Sequence, residues 1–319
     1  MSAPGAPAVA AAGARQAPGA TAPGARPGRR RGRGNWTAIG FLSPAALVVA
    51  LLLYLPFLYT VVLSFTKYDG LSSPQWVALD NFRKFFSDPA LGSSVRNTLM
   101  WVVGTTVLPV GLGLLIALLS FGIRGGSGFR LPFMLPYALS GAGLGVIWGF
   151  ILQDGGAAND VLGALHLPGA HTDFLQHWPY NTISMIVAWT WQQTGVNALL
   201  FMVGLQSIPK EPLEAARLDG AGGFRLFRSI TWPLLAPLTT VVVGLALVAS
   251  LKTFDIVWVT TQGGPGRSSE TLAVTMYRDA FVSGDYGYGS AVALVLTLTT
   301  AAVTLAYLRR QVKTREGLG

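Results

Sequence analysis

Six stretches of 23 or more residues carry no Asp, Glu, Lys or Arg: 34–66, 97–123, 131–153, 174–209, 229–251 and 286–308. A helix crossing the hydrocarbon core of a bilayer needs about 20 predominantly apolar residues. Runs such as Leu47 to Phe65, Leu99 to Leu119 and Ile183 to Leu205 reach about that length. Only 12% of the residues are charged and 51% are hydrophobic, about half the charge of a soluble domain. Backbone polar groups in lipid must be satisfied within their own segment, so the reading is an all-α membrane protein. Its six transmembrane helices are expected at about 38–65, 95–122, 130–152, 180–205, 231–252 and 286–308, within a membrane domain of residues 36–310.

Lys and Arg favour cytoplasmic segments. Counted on alternate sides of these helices, 16 basic residues share the side of the two termini and 7 lie opposite, with 10 of the 14 acids. Both termini are therefore expected in the cytoplasm. Residues 1–35, dominated by Ala, Gly, Pro and Arg, have little to bury and read as a disordered cytoplasmic tail; 311–319 form a second tail. The apolar run that follows residue 35 is far longer than the 7 to 15 residues of a secretory signal. Much of the net charge of +9 then faces anionic lipid headgroups, and no nucleic acid is needed to explain it.

Several chemistries are excluded. There is no Cys, hence no thiolate nucleophile, Cys-bound zinc or iron–sulfur cluster. His166, His171 and His177 are spaced five and six apart in a segment containing Gly and Pro, not on one helical face, so no metal site is expected. A phosphate-cradling loop places Lys directly after Gly, and none of the five lysines follows a glycine. A membrane-embedded hydrolase would need paired acids or a Ser–His arrangement facing the membrane, and neither is present.

The segment 206–230 reads as two short helices joined at glycines. Pro209 and Pro212 sit near a helix start, where a missing amide is harmless; Leu213 to Leu218 continue it, Gly220, Gly222 and Gly223 break it, and Phe224 to Ile230 resume it. Glu214-Ala215-Ala216, then Gly220 six after the Glu, Ile230 sixteen after it, and Pro233 resemble the EAA loop of binding-protein-dependent ABC importer permeases. The resemblance implies a type I ABC importer permease fold in a bacterial cytoplasmic membrane, with this loop docked in a cleft of an ATPase subunit. It implies that Glu214 pairs with a basic residue there, that Ala215 and Ala216 keep the contact face small, and that Asp219, Gly220, Ile230 and Pro233 complete the motif, Gly220 as its turn. It also implies that the chain is half of a pore, completed by a second, non-identical permease. An ATPase dimer would hold ATP-Mg, this chain would bind no cofactor, and an extracytoplasmic solute-binding protein would deliver the substrate.

Two further stretches are similar to the sugar-transport branch, which includes the maltose-type subunits. One is Ala78-Leu79-Asp80-Asn81-Phe82 with Asn97-Thr98. The other runs from Phe254-Asp255 through Gln262-Gly263-Gly264-Pro265 and Glu270-Thr271-Leu272 to Gly287-Tyr288-Gly289. They imply a mono- or oligosaccharide substrate; subunits for glycerol phosphate esters share much of the pattern, and a glycerol phosphate ester or another polar solute stands as the alternative. An ion-coupled secondary transporter is the rival class, but its charged relays lie near the bilayer centre and no acid lies inside an expected span.

In the fourth expected helix Trp189, Gln193 and Asn197 recur at i, i+4 and i+8. Amides hydrogen-bond hydroxyls in both directions and an indole face packs on the C–H surface of a sugar, so these residues are candidates for a substrate path. Interhelical hydrogen bonding is the competing reading. Lys252 and Asp255, at i and i+3, are expected to neutralise each other. Gly141, Gly145 and Gly149, four apart, invite close backbone approach, a subunit interface being one place for it.

Overall fold

The computed structural model describes residues 36–121 and 132–316. The expected tail over 1–35 and the basic residues Arg124 and Arg130 lie outside them. The chain divides between Leu53 and Tyr54 into two units. The first holds helix α1 (Trp36–Val49), which runs through Pro44 into a π-helical turn beginning at Ala50. Phe41, Leu47, Leu52 and Leu53 are exposed, as expected of side chains that face lipid.

The second unit begins with α2 (Leu55–Leu63), then a departure from the all-helical expectation: strands β1 (Thr66–Lys67) and β2 (Gln75–Trp76) pair antiparallel, Thr66 opposite Trp76 and Lys67 opposite Gln75. Asp69 makes the turn between them. Its Oδ1 accepts from the Ser72 and Leu71 amides at 2.8 and 3.0 Å and from the Ser72 hydroxyl. These bonds hold its carboxyl at about 2. Helix α3 (Asp80–Ser87) follows, and Asn81 Nδ2 donates to the carbonyls of Ser64 and Thr66 at 2.9 and 2.8 Å.

The long helices are α4 (Leu91–Ser120), α5 (Gly141–Leu152), α7 (Tyr180–Gln206), α10 (Trp232–Leu251) and α13 (Tyr286–Glu316), with α6 (Ala157–Ala164) between α5 and α7. Among the described residues, four helical stretches are long and apolar enough to cross a membrane: Gly40–Leu63, Leu91–Ser120, Gly223–Thr261 and Tyr286–Arg309. A fifth counts only if Pro132–Ala138 and α5, bent by 111° at residues 139–140, form one span. The third expected helix is thus broken, because Ser140 caps α5 by accepting from the Gly143 amide at 3.0 Å and starts a new helix in a new direction.

Helix α7 does not meet the same measure, and the reason is its chemistry. It is 27 residues long but buries Asn181, Thr182, Ser184, Thr190, Gln192, Thr194 and Asn197 among its neighbours. Lipid gives helices no hydrophobic reason to associate; close packing and interhelical hydrogen bonds do it instead. Both are present. A Cβ on Gly113 of α4 would meet the Asn197 Cβ at 2.6 Å, and one on Gly195 would collide with the Phe133 carbonyl. Trp101, Leu144, Met185, Ile186 and Ile256 pack one apolar cluster around α7, and Val110, Phe201, Met202, Leu235 and Val242 pack another. The glycine row of α5 is used within the chain: Gly141 and Gly145 face Asp255 and Val259 of α11 (Asp255–Thr261), while Gly149 meets open space.

Candidate functional site

A cavity of about 410 Å³ lies between α4, α7 and α10. Trp189, Gln193 and Asn197 all line it, with Thr105 and Pro109 of α4, Tyr137, and Val242, Leu245 and Ala246 of α10. Helical phase alone put the first three on one face; the packing of α4 and α10 made that face concave. The neighbouring amide shows the contrast. Gln192 donates to the Leu139 carbonyl at 2.7 Å and is interhelical glue, whereas the nearest polar contact of Gln193 Nε2 is Gln192 Oε1 at 3.5 Å. Asn197 Nδ2 donates to the Gln193 carbonyl of its own helix at 3.0 Å. Among the described residues nothing donates to Gln193 Oε1 or Asn197 Oδ1. Trp189 is held edge-on to Trp101, centroids 6.1 Å apart. Among the described residues no charged side chain lines the cavity.

The segment after α7 forms α8 (Lys210–Leu218), with Pro209 as its N-cap. Gly220, at φ +79°, ends it. Its amide donates to the Arg217 carbonyl at 3.0 Å and the Ala221 amide donates to the Ala216 carbonyl at 2.9 Å. That pair is the Schellman arrangement, which places glycine in the left-handed region. Glu214, Ala215, Asp219 and Gly220 are exposed, Ala216 is half-buried, and Glu214 enters no ion pair or hydrogen bond among the described residues. The second expected short helix is not separate. Helix α9 (Gly223–Leu226) passes through a π-helical turn, Phe227–Thr231, directly into α10, so Ile230 is half-buried at that junction and Pro233 sits exposed in the first turn of α10.

Lys252 and Asp255 do not pair, contrary to expectation. Helix α10 ends at Leu251 and α11 starts at Asp255, with Phe254 between them at φ −131°, ψ −59°. The i, i+3 argument assumed one continuous helix. Both side chains are exposed.

Sequence reasoning missed a buried charge network in the loops after α11. Glu270, fully buried, accepts from Arg267 Nε and Nη2 at 2.8 Å each and from the Thr275 hydroxyl at 2.6 Å, and Arg278 Nη1 lies 3.6 Å away. Arg267 also reaches Asp88 at 3.4 Å, and its guanidinium is pushed up by the Glu270 carboxylate. Asp279 has a buried Oδ2 with no hydrogen-bond partner among the described residues. Burial raises its carboxyl to about 6 against the pull of Arg267. Asn97 Nδ2 donates to the carbonyls of Ser268 and Glu270 at 2.7 and 3.0 Å, and Lys84 pairs with Asp285 at 2.7 Å. The two family-like stretches thus fasten to each other. Their long separation in sequence hid this; the only available signal was that both are polar islands beside apolar runs.

Residues 110–312 match the family model described as binding-protein-dependent transport system inner membrane component. The sulfoquinovosyl glycerol transport system permease protein SmoG of Agrobacterium fabrum is 35% identical over 280 residues, covering 85% of this chain and 89% of that protein. The sn-glycerol-3-phosphate transport system permease protein UgpA of Brucella abortus is 35% identical over 272 residues, 84% of this chain and 92% of that protein. A chain in the crystal structure of a bacterial alginate ABC transporter, in complex with an alginate pentasaccharide-bound periplasmic protein, superposes with a TM-score of 0.76 at 18% identity. That match covers 86% of this chain and 93% of the other and speaks for the fold.

Proposed function

The chain belongs to the binding-protein-dependent transport system inner membrane components, the permeases of ABC importers, and on that premise we propose that it forms half of an inward path for an uncharged carbohydrate. It is a membrane transport subunit and not an enzyme. A second, non-identical permease completes the path, an ATPase dimer carrying ATP-Mg docks at residues 206–230, and a solute-binding protein delivers substrate at the opposite end, with both termini of this chain in the cytoplasm. Glu214 is the acid offered to the ATPase, with Ala215, Ala216, Asp219 and Gly220 shaping the contact.

One observation carries the substrate reading: Trp189, Gln193 and Asn197 share a cavity that has unused amide acceptors and no charge. Hydroxyl-rich, uncharged solutes suit such a lining. The similarity to a glycerol-3-phosphate permease favours a phosphate ester as second reading. A phosphate carried through a low-dielectric passage needs a cation beside it, which the second permease would then have to supply.

Uptake and assembled-complex yield, measured together, test the path. Gln193→Ala and Asn197→Ala are expected to raise the half-saturating sugar concentration severalfold with unchanged yield. If these amides are interhelical glue, yield falls instead, at about 0.6 kcal/mol per lost bond, with uptake per complex intact.

A further inference from the structure

A second groove, of about 800 Å³, runs between α10 and α13, floored by Ala273 and Met276 of α12 (Leu272–Tyr277) and walled by Val248, Leu296, Ala301 and Leu305. Lys252 is one of its lining residues, exposed and in no ion pair among the described residues. We propose that this groove holds one anionic phospholipid, with an acyl chain along α13 and the headgroup phosphate at Lys252.

Position comes first. Helix α10 has 20 residues, about 30 Å at 1.5 Å per residue, which is the thickness of the hydrocarbon core. With Trp232 at one end, Lys252 at the other falls at the level of the headgroups, where Trp and Lys anchor spans. The groove extends from there along α13, and Ala293 to Leu305 cover about 18 Å of its wall.

Chemistry separates lipid from sugar. The hydroxyls of Thr297 and Thr300 donate to the carbonyls of Ala293 and Leu296 at 2.8 Å each, so at these positions the groove offers methyl groups. Thr304, farther along, is the one groove hydroxyl without a hydrogen-bond partner among the described residues. A cation at the interface above an apolar channel matches an amphiphile with a negative head. It does not match a polyol, and it would suit a neighbouring helix only if that helix brought an acid to this level.

The test uses the transporter with its partner subunits in nanodiscs of equal parts dioleoyl phosphatidylglycerol and dioleoyl phosphatidylcholine. Retained lipid is read by native mass spectrometry after the discs are stripped. The wild type should keep phosphatidylglycerol severalfold over phosphatidylcholine. Lys252→Gln, a change at an exposed side chain, should lower the ratio by the loss of the single lipid held in this groove, and Lys252→Arg should restore it. Ala301→Trp, which fills the groove from an exposed wall, should release both lipids. An unchanged ratio in Lys252→Gln overturns the proposal. So does a photo-cross-linker at Leu305 that captures the second permease instead of lipid.

Discussion

The segment 206–231 and the loops 262–288 are both glycine-containing and charged, and both adjoin the α10–α11 pair, yet they treat charge in opposite ways. Glu214 is exposed and without an ion pair among the described residues, on a helix whose end is closed by its own backbone bonds. Glu270 is completely buried, with a two-point bond to Arg267 and a second arginine nearby. An acid already satisfied inside the chain holds its own fold together. An acid presented to solvent on a short helix is free to meet a partner, and the two are told apart by burial and not by residue type.

The largest effect is expected at the buried acid. Glu270→Ala leaves Arg267 and Arg278 without their shared carboxylate; breaking a fully buried pair costs about 3–5 kcal/mol, and the cost here is smaller because both guanidiniums reach solvent and Arg267 keeps Asp88. The expected outcome is a sharp fall in folded protein, measured as monodisperse yield and Tm in detergent. An unchanged Tm would mean that the network contributes nothing to the fold.

Next comes the exposed acid. Glu214→Lys should leave Tm and membrane insertion as in the wild type while uptake and co-purification of the ATPase are lost, because attraction to a basic partner becomes repulsion. Wild-type co-purification with full uptake would remove Glu214 from the contact and collapse the contrast between the two regions.

The smallest effect concerns Asp279, at the edge of the buried network. Its carboxyl stands at about 6 against an ordinary 3.8, so the folded form takes up a proton that the unfolded chain does not. The stability linked to it is fully present below pH 4 and lost as pH rises through 6. Asp279→Asn should flatten the pH dependence of Tm between pH 4 and 6 and raise Tm at pH 7, by a margin that solvent screening of this partly exposed carboxylate keeps small. A pH profile identical to the wild type would show that the Asp279 carboxyl titrates no differently in the folded chain.

Much of this molecule was legible in one dimension. The charge-free stretches coincide with long helices over much of the chain, but the third is broken at Ser140 and α13 runs on to Glu316, through residues expected to form a separate tail. The glycine turn at Gly220 was legible because a left-handed residue after a helix favours Gly. Helical phase placed Trp189, Gln193 and Asn197 on one face. It did not reveal that Gln192, one residue away, would be the glue, since that depends on where the Leu139 carbonyl lies.

What the sequence determined by itself follows from local physics: apolar length, backbone satisfaction, helical period and the conformational freedom of glycine. What only the tertiary structure decided are the relations between distant segments. Polar α7 became the buried helix because α4 and α10 close around it. Glu270 became structural because Arg267 and Arg278 converge on it, while Asp88 draws Arg267 from across the fold. Lys252 lost its expected partner because the helix ends beneath it. Charges and amides report their role only through their neighbours, and in this chain many of those neighbours lie tens to hundreds of residues away.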